Sequence, residues 1–233
     1  MSEDRRDTSA AWAFHNATKY VRALDPAGHE RILMGQPPEL RPALGEQDPA
    51  LEPLPYKRYL SLQPIPLPCD GFSSSLPALD AIAATGNLPT EQAVPDLVAL
   101  ARICLRSNGL LKRWRAPNGR DIEFRVAGCT GARYHLELYV VCGRLVASPG
   151  RSGQALDAGL YHYAPEDHSL RLLRAGDYRR IVVDGTGDEP AVAKAPVIVI
   201  ITSTFWRNAW RYQERTYRHV YWDAGAVLAN LLA

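Results

Sequence analysis

RVAGCTGARYHLELYVVCG, Arg125–Gly143, sets two glycines, a thiol and a hydroxyl directly before a run in which Leu136, Leu138 and Val140 alternate with Glu137, Tyr139 and Val141. Alternation with period two is the mark of a strand whose faces meet different surroundings. Gly128 and Gly131 can take backbone angles that residues with a Cβ resist, and they leave main-chain N–H groups open to a flat or anionic ligand. Cys129 and Thr130 add small polar contacts. By residue type, a tight turn feeding a strand and a ligand-binding bend are both open readings.

Downstream, "AGLYHYAP" follows the loop "SPGRSGQALD" as a second strand, and "HSLRLLRAG" reads as its return partner in a hairpin. "PVIVIITST", after the Gly/Asp loop "DGTGDEP", is predicted to be a buried strand from its length and β-branched residues. From Ser203 onward the pattern predicts one long helix capped by Ser203 or Thr204. Trp206, Trp210, Tyr217, Tyr221, Ala224 and Leu228 recur at helical spacing and are expected to face the core. Arg207, Arg211, Arg215 and Arg218 make a second stripe, which reads either as a solvated face or as a phosphate or substrate contact. The helix runs into "LLA" with no cap, so a missing C-terminal portion is expected.

Upstream, "TSAAWAFHNATKYVRAL" has a loose helical pattern. Nine of the eighteen prolines lie between Pro37 and Pro68, where neither a helix nor a central strand can persist, because proline lacks an N–H and fixes its φ. This is an extended arm, and its apolar residues, from Leu51 to Leu67, predict that it wraps a body or a partner chain. "LPALDAIAATG" and "TEQAVPDLVALARICLRSNG" are predicted as two helices, ended by Gly86 and by Asn108-Gly109. The expected organisation is therefore 1–70, an N-terminal helix and proline-rich arm, and 71–233, the main domain.

Composition bounds what such a chain does. With 233 residues, 46% of them hydrophobic, it can bury a substantial core. Twenty-seven basic against twenty-five acidic residues leave +2, which excludes the basic excess of a dedicated nucleic-acid binder. Cys69, Cys104, Cys129 and Cys142 form neither a CxxC metal knuckle nor a disulfide framework, and His135, His162, His168 and His219 show no recognised metal spacing, so no metal is expected. "MSEDRRDTSA" lacks the apolar core of a signal peptide, and "APVIVII" is too short to span a bilayer. A cytoplasmic protein with no membrane partner is the expectation.

Three blocks in order, "FRVAGCTGARYHLELYVVCG", "AGLYHYAPEDHSLRLLRAGDYR" and "RNAWRYQERTYRHVYWDAGAVLANL", resemble the flavin-dependent nitroreductase superfamily, closest to its SagB/ThcOx-type azoline dehydrogenases. In that branch the blocks run Ser-Ala-Gly-Ala-Leu-Tyr-Pro-x-Glu-x-Tyr, Gly-x-Tyr-x-Tyr-x-Pro and Lys-Tyr-x-x-Arg-x-Tyr-Arg. The resemblance implies an α+β nitroreductase-like fold with a central, mostly antiparallel sheet flanked by helices, and a homodimer holding FMN at its interface. Carried over position by position, Cys129, Thr130, Gly131 and Ala132 match the flavin-contacting turn, and Arg211-Tyr212 takes the place of the family's Lys-Tyr pair, held to assist proton removal. Arginine stays protonated, so Arg211 supplies charge or orientation while Tyr212 can donate or relay a proton. The superfamily's Arg-Arg-Ser-x-Arg phosphate grip is replaced by "SSSLPALDAIAA", so phosphate anchoring would fall to Arg125 beside the turn or to Arg106 and Lys112 just upstream, and Arg125 is the expected cation. The implied function is FMN-dependent oxidation of azoline rings in a peptide, with substrate or NAD(P)H as hydride source. The alternatives are a flavin-free scaffold or docking subunit of the same fold and a small-molecule nitro or quinone reductase.

Overall fold

The computed structural model describes residues 9–18, 20–24, 30–34, 48–69, 77, 79–80, 94–117, 119, 121–146 and 155–232. In chain order the helices are α1 (Ser9–Thr18), α2 (Leu97–Asn108), α3 (Arg179–Gly185), α4 (Pro190–Lys194), α5 (Phe205–Tyr212) and α6 (Thr216–Leu232). The strands are β1 (Tyr20–Leu24), β2 (Glu30–Met34), β3 (Pro64–Pro66), β4 (Leu110–Arg115), β5 (Asp121–Arg125), β6 (Leu136–Cys142), β7 (Gly159–Ala164), β8 (Ser169–Ala175) and β9 (Val197–Ser203).

Five strands form the central sheet in the order β3-β8-β7-β6-β9, and every pairing in it is antiparallel. The alternation of β6 sorts its side chains as the sequence predicts. Leu136, Leu138, Val140 and Cys142 share the core with Tyr161 and Tyr163 of β7, Leu170 of β8, Leu97, Leu100, Ala101 and Cys104 of α2, and Val227 of α6. The opposite face carries Glu137, Tyr139 and His162, with Tyr139 in register with His162 and His162 with Arg171. The arm lies over this second face. The Tyr59 ring meets His162 edge-on at 5.2 Å, and Lys57 Nζ donates to the Tyr139 hydroxyl at 2.7 Å.

Several sequence expectations change in three dimensions. The proline-rich arm does contribute a strand, but β3 sits at the sheet edge, where missing N–H groups leave the ladder intact. The N-terminal helix stops at Thr18, because Tyr20–Leu24 pairs with Glu30–Met34 instead of continuing it. The expected helix of "LPALDAIAATG" lies almost wholly outside the described residues. That of "TEQAVPDLVALARICLRSNG" is present as α2, capped by Asp96, whose carboxylate accepts the Ala99 N–H at 2.8 Å, and ended at Asn108-Gly109. β9 is the edge strand opposite β3 and is only half-buried. The hairpin of β4 and β5 escaped sequence reading, although Asn118-Gly119 between two alternating runs is a hairpin signal.

The largest correction concerns the C-terminal helix. Gln213 takes φ 47° and ψ −130°, which divides the segment into α5 and α6. The stripes also exchange roles in part, although Ala224 packs against the core as expected, Trp210 is half-buried and Arg211 stays exposed. Trp206, Tyr217, Tyr221 and Leu228 are exposed, while Arg207, Asn208, Arg215, Thr216, His219 and Asp223 are buried. Buried polar partners decide this phase rather than apolarity. Thr216 Oγ1 donates to Asn208 Oδ1 at 3.0 Å across the kink, and His219 Nδ1 meets the same oxygen at 2.9 Å.

Leu138 is fully buried in the central strand, whereas Leu60 of the arm is 91% exposed. Leu138→Ala is expected to cost about 2–5 kcal/mol in urea denaturation with an unchanged m-value. Leu60→Ala should stay within about 0.5 kcal/mol of the parent.

Candidate functional site

The bend between β5 and β6 is built from its own short hydrogen bonds. The Ala132 N–H reaches Cys129 O at 3.0 Å and the Arg133 N–H reaches Thr130 O at 3.4 Å, so residues 130–132 form one 3-10 turn. Gly131 has φ +64°, in the left-handed region that favours glycine. A Cβ at this position would also collide with the Tyr212 hydroxyl and lie 2.9 Å from its ring. Gly128, Gly131 and Ala132 are exposed and Cys129 and Thr130 half-buried, so the bend lies at the surface. At Gly128 nothing stands within 4 Å of a Cβ position.

From the inside, Asp223 of α6 holds the bend. Its Oδ1 accepts from Thr130 Oγ1 at 2.8 Å, both its oxygens accept the Thr130 N–H at 3.0–3.1 Å, and Oδ2 accepts the Cys129 thiol at 3.1 Å. His135 Nε2 lies 2.9 Å from the same Oδ2, and His135 Nδ1 lies 2.9 Å from Ser203 Oγ. Burial alone would raise the Asp223 carboxyl, but hydrogen bonds from His135, Cys129 and Thr130 hold it below the usual carboxylate range. Burial, then the Asp223 charge, pushes the Cys129 thiol up to about 12. It is therefore no ready nucleophile.

Arg207 of α5 and Glu137 of β6 form a second polar centre, with Nη1 2.8 Å from Oε1 and both side chains almost fully buried. The same guanidinium donates to Tyr134 O at 2.8 Å and to Leu54 O at 2.9 Å, which joins bend, strand and arm. His162 Nε2 and Thr204 Oγ1 approach the two Glu137 oxygens at 3.2 and 3.3 Å. Burial works to raise Glu137, yet His162 and Arg207 outweigh it and keep the group ionised.

The residues singled out from sequence fall into two groups. Tyr212 is brought against Gly131, with the His219 ring 4.8 Å away, edge-on to its own, and exposed Arg211 lies over its ring at 5.8 Å. Arg125 sits apart from these. It is buried between the Tyr56 and Tyr134 rings, at 5.2 and 5.1 Å, and donates to Asn108 Oδ1 and Pro55 O. Asp223 and Asn208 had no local signal as site residues, whereas Glu137 stands at the Glu of the first sequence block and was passed over. Asp223 and Asn208 lie 93 and 78 positions from Thr130 and meet it only through folding. A cleft of about 360 Å³ runs between the arm and the β7–β8 turn, lined by Tyr56, Lys57, Tyr59, Leu62 and Arg171 among others, but not by the bend or Tyr212.

Comparison with known proteins gives the same architecture. No family profile matches the chain. A curated nitroreductase-named protein of Methanocaldococcus jannaschii is 29% identical over 108 residues, covering 46% of this chain and 50% of that protein. A crystal structure titled as a nitroreductase from Anabaena variabilis superposes with a TM-score of 0.63 at 27% identity, over 95% of this chain and 37% of the other. One from Ralstonia eutropha gives 0.51 at 22% identity, over 76% and 78%. The chain thus spans half the length of its curated relative and little more than a third of the Anabaena protein. The fold is nitroreductase-like, α+β with an antiparallel sheet flanked by helices, and the sequence likeness supports a relation to the nitroreductase superfamily. No helix among the described residues is long and apolar enough to cross a membrane.

Gly131→Ala is expected to cost about 1–3 kcal/mol through strain at positive φ, and Gly128→Ala under about 0.5 kcal/mol, both read by chemical denaturation. Burial, then the Arg215 charge, lowers the His219 pKa from 6.5 to about 4. The unfolded chain therefore takes up this proton first. Stability is full above pH 6.5 and is lost as pH falls towards 4, with a slope approaching about 1.4 kcal/mol per pH unit. Denaturation at stepped pH should show this slope in the parent and its loss in His219→Gln.

Proposed function

We propose that this chain is an FMN-dependent oxidoreductase of the nitroreductase type that acts as a homodimer and oxidises azoline rings in a peptide substrate. The observation that carries the reading is the meeting of an exposed, side-chain-poor bend with the Tyr212 hydroxyl at Gly131. A planar ring can approach a backbone only where side chains are small, and the open space beyond Gly128 fits that need. In this reading Cys129, Thr130, Gly131 and Ala132 form the edge that borders the ring. When bound, FMN accepts a hydride from substrate or from NAD(P)H and passes electrons on. Tyr212 donates or relays a proton beside Gly131, and Arg211 supplies a fixed positive charge without acting as a base. Arg125 braces the bend from within. The order of the three sequence blocks supports the azoline-oxidising branch over a small-molecule reductase. The exposed Tyr221, Trp222, Leu228 and Leu232 of α6 suit an interface with a second copy.

One observation favours the flavin-free scaffold reading. The Thr130 N–H is turned inward to Asp223, so this amide does not face a ring on the outer side of the bend. Purification with added FMN separates the two. The enzyme reading expects a bound-flavin spectrum near one FMN per chain and its loss in Gly131→Val, with dimer mass by light scattering. Turnover of an azoline peptide, against a nitro or quinone acceptor, then tests the branch. A colourless parent protein supports the scaffold instead.

A further inference from the structure

Beneath the bend, Cys129 Sγ, His135 Nε2 and an Asp223 carboxylate oxygen all lie within 4.8 Å of one another. Sulfur, imidazole nitrogen and carboxylate oxygen are the donor types of zinc, and three protein ligands with a fourth position left to water is a common zinc arrangement. We propose that Cys129, His135 and Asp223 form a zinc site that locks the bend to α6. It does not rest on the flavin reading, since a protein that binds no FMN can still bind zinc.

The surroundings of the three ligands carry it. Each ligand already has a supporting contact of the kind metal ligands use. His135 Nδ1 is 2.9 Å from Ser203 Oγ, which can hold that nitrogen's proton and leave Nε2 as a lone pair for a metal. Cys129 Sγ receives the Tyr134 N–H at 3.0 Å, a bond that stabilises a thiolate. Asp223 is fixed by Thr130 through both N–H and hydroxyl. Zinc binding would displace the thiol proton to solvent and set one thiolate and one carboxylate against Zn2+. Finally, His135 and Asp223 are buried, but Cys129 is half-exposed and gives an ion a way in.

The test uses the full chain in a Cys69→Ser background, because Cys69 is an exposed free thiol. After metal stripping, cobalt(II) is titrated in as a spectroscopic stand-in for zinc. The expected result is one cobalt per chain, bound with release of the thiol proton and a thiolate-to-cobalt charge-transfer band, and then displaced by zinc with no further proton release. The band should vanish in Cys129→Ser, affinity should fall sharply in Asp223→Asn, and Ser203→Ala should weaken binding roughly tenfold. If a variant fails to fold, alkylation mapped by mass spectrometry on the parent decides: zinc should shield Cys129 from the reagent. An absent band, a band that survives Cys129→Ser, or Cys129 alkylated equally fast with and without zinc overturns the site.

Discussion

The Arg207–Glu137 ion pair is the interaction on which the rest of this structure depends. Both partners are buried, so each would be costly alone, and removing one partner of such a pair typically costs about 3–5 kcal/mol. Arg207 also uses its remaining donors on Leu54 O and Tyr134 O. One guanidinium therefore sets the distances between α5, the central strand, the bend and the arm. Glu137 answers with His162 and Thr204, which carries the same network across the second face of the sheet. That face is closed by this polar network and by the Tyr59 ring, not by apolar packing alone, although His162 Nδ1 is buried there without a hydrogen-bond partner.

The bend inherits its shape from this frame and its stiffness from Asp223. A loop crossing the surface would ordinarily be mobile, but here a carboxylate from α6 takes up the amide and hydroxyl of Thr130 and the thiol of the adjacent Cys129. The consequence is a bend with two unlike sides. Its inner side is saturated with hydrogen bonds, and its outer side is short backbone and small side chains with Tyr212 at its edge. Such a surface is pre-organised, so whatever it binds need not meet the cost of ordering it.

Legibility followed the range of the forces involved. The strand after the bend could be read because alternation is a local property of the chain, and Gly131 could be read because positive φ is a local demand. The α2 stop could be read from residue type, although Gly109 ends the helix with an extended backbone, φ −71°. The two halves of the C-terminal segment could not. A helical wheel ranks residues by apolarity, and there it placed Trp206, Tyr217 and Tyr221 inward and left the arginines as a solvated face or a ligand contact. In the fold, Arg207 and Asn208 win the interior because Glu137 and Thr216 are waiting for them. The arm shows an intermediate case: its extension was legible from proline, while its place over His162 was not.

The α+β class was implied by the resemblance of three sequence blocks, while local pattern by itself determined the strand β6, the position of the bend before it and the types of atom that bend contains. These depend on steric limits and periodicity that act within a few residues. Tertiary structure alone decided that Tyr212 would stand against Gly131, that Arg125 would turn inward, and that Asp223 would meet Cys129 and His135. Each of those is a contact between groups tens of residues apart, fixed by burial and hydrogen-bond satisfaction, which no local pattern encodes.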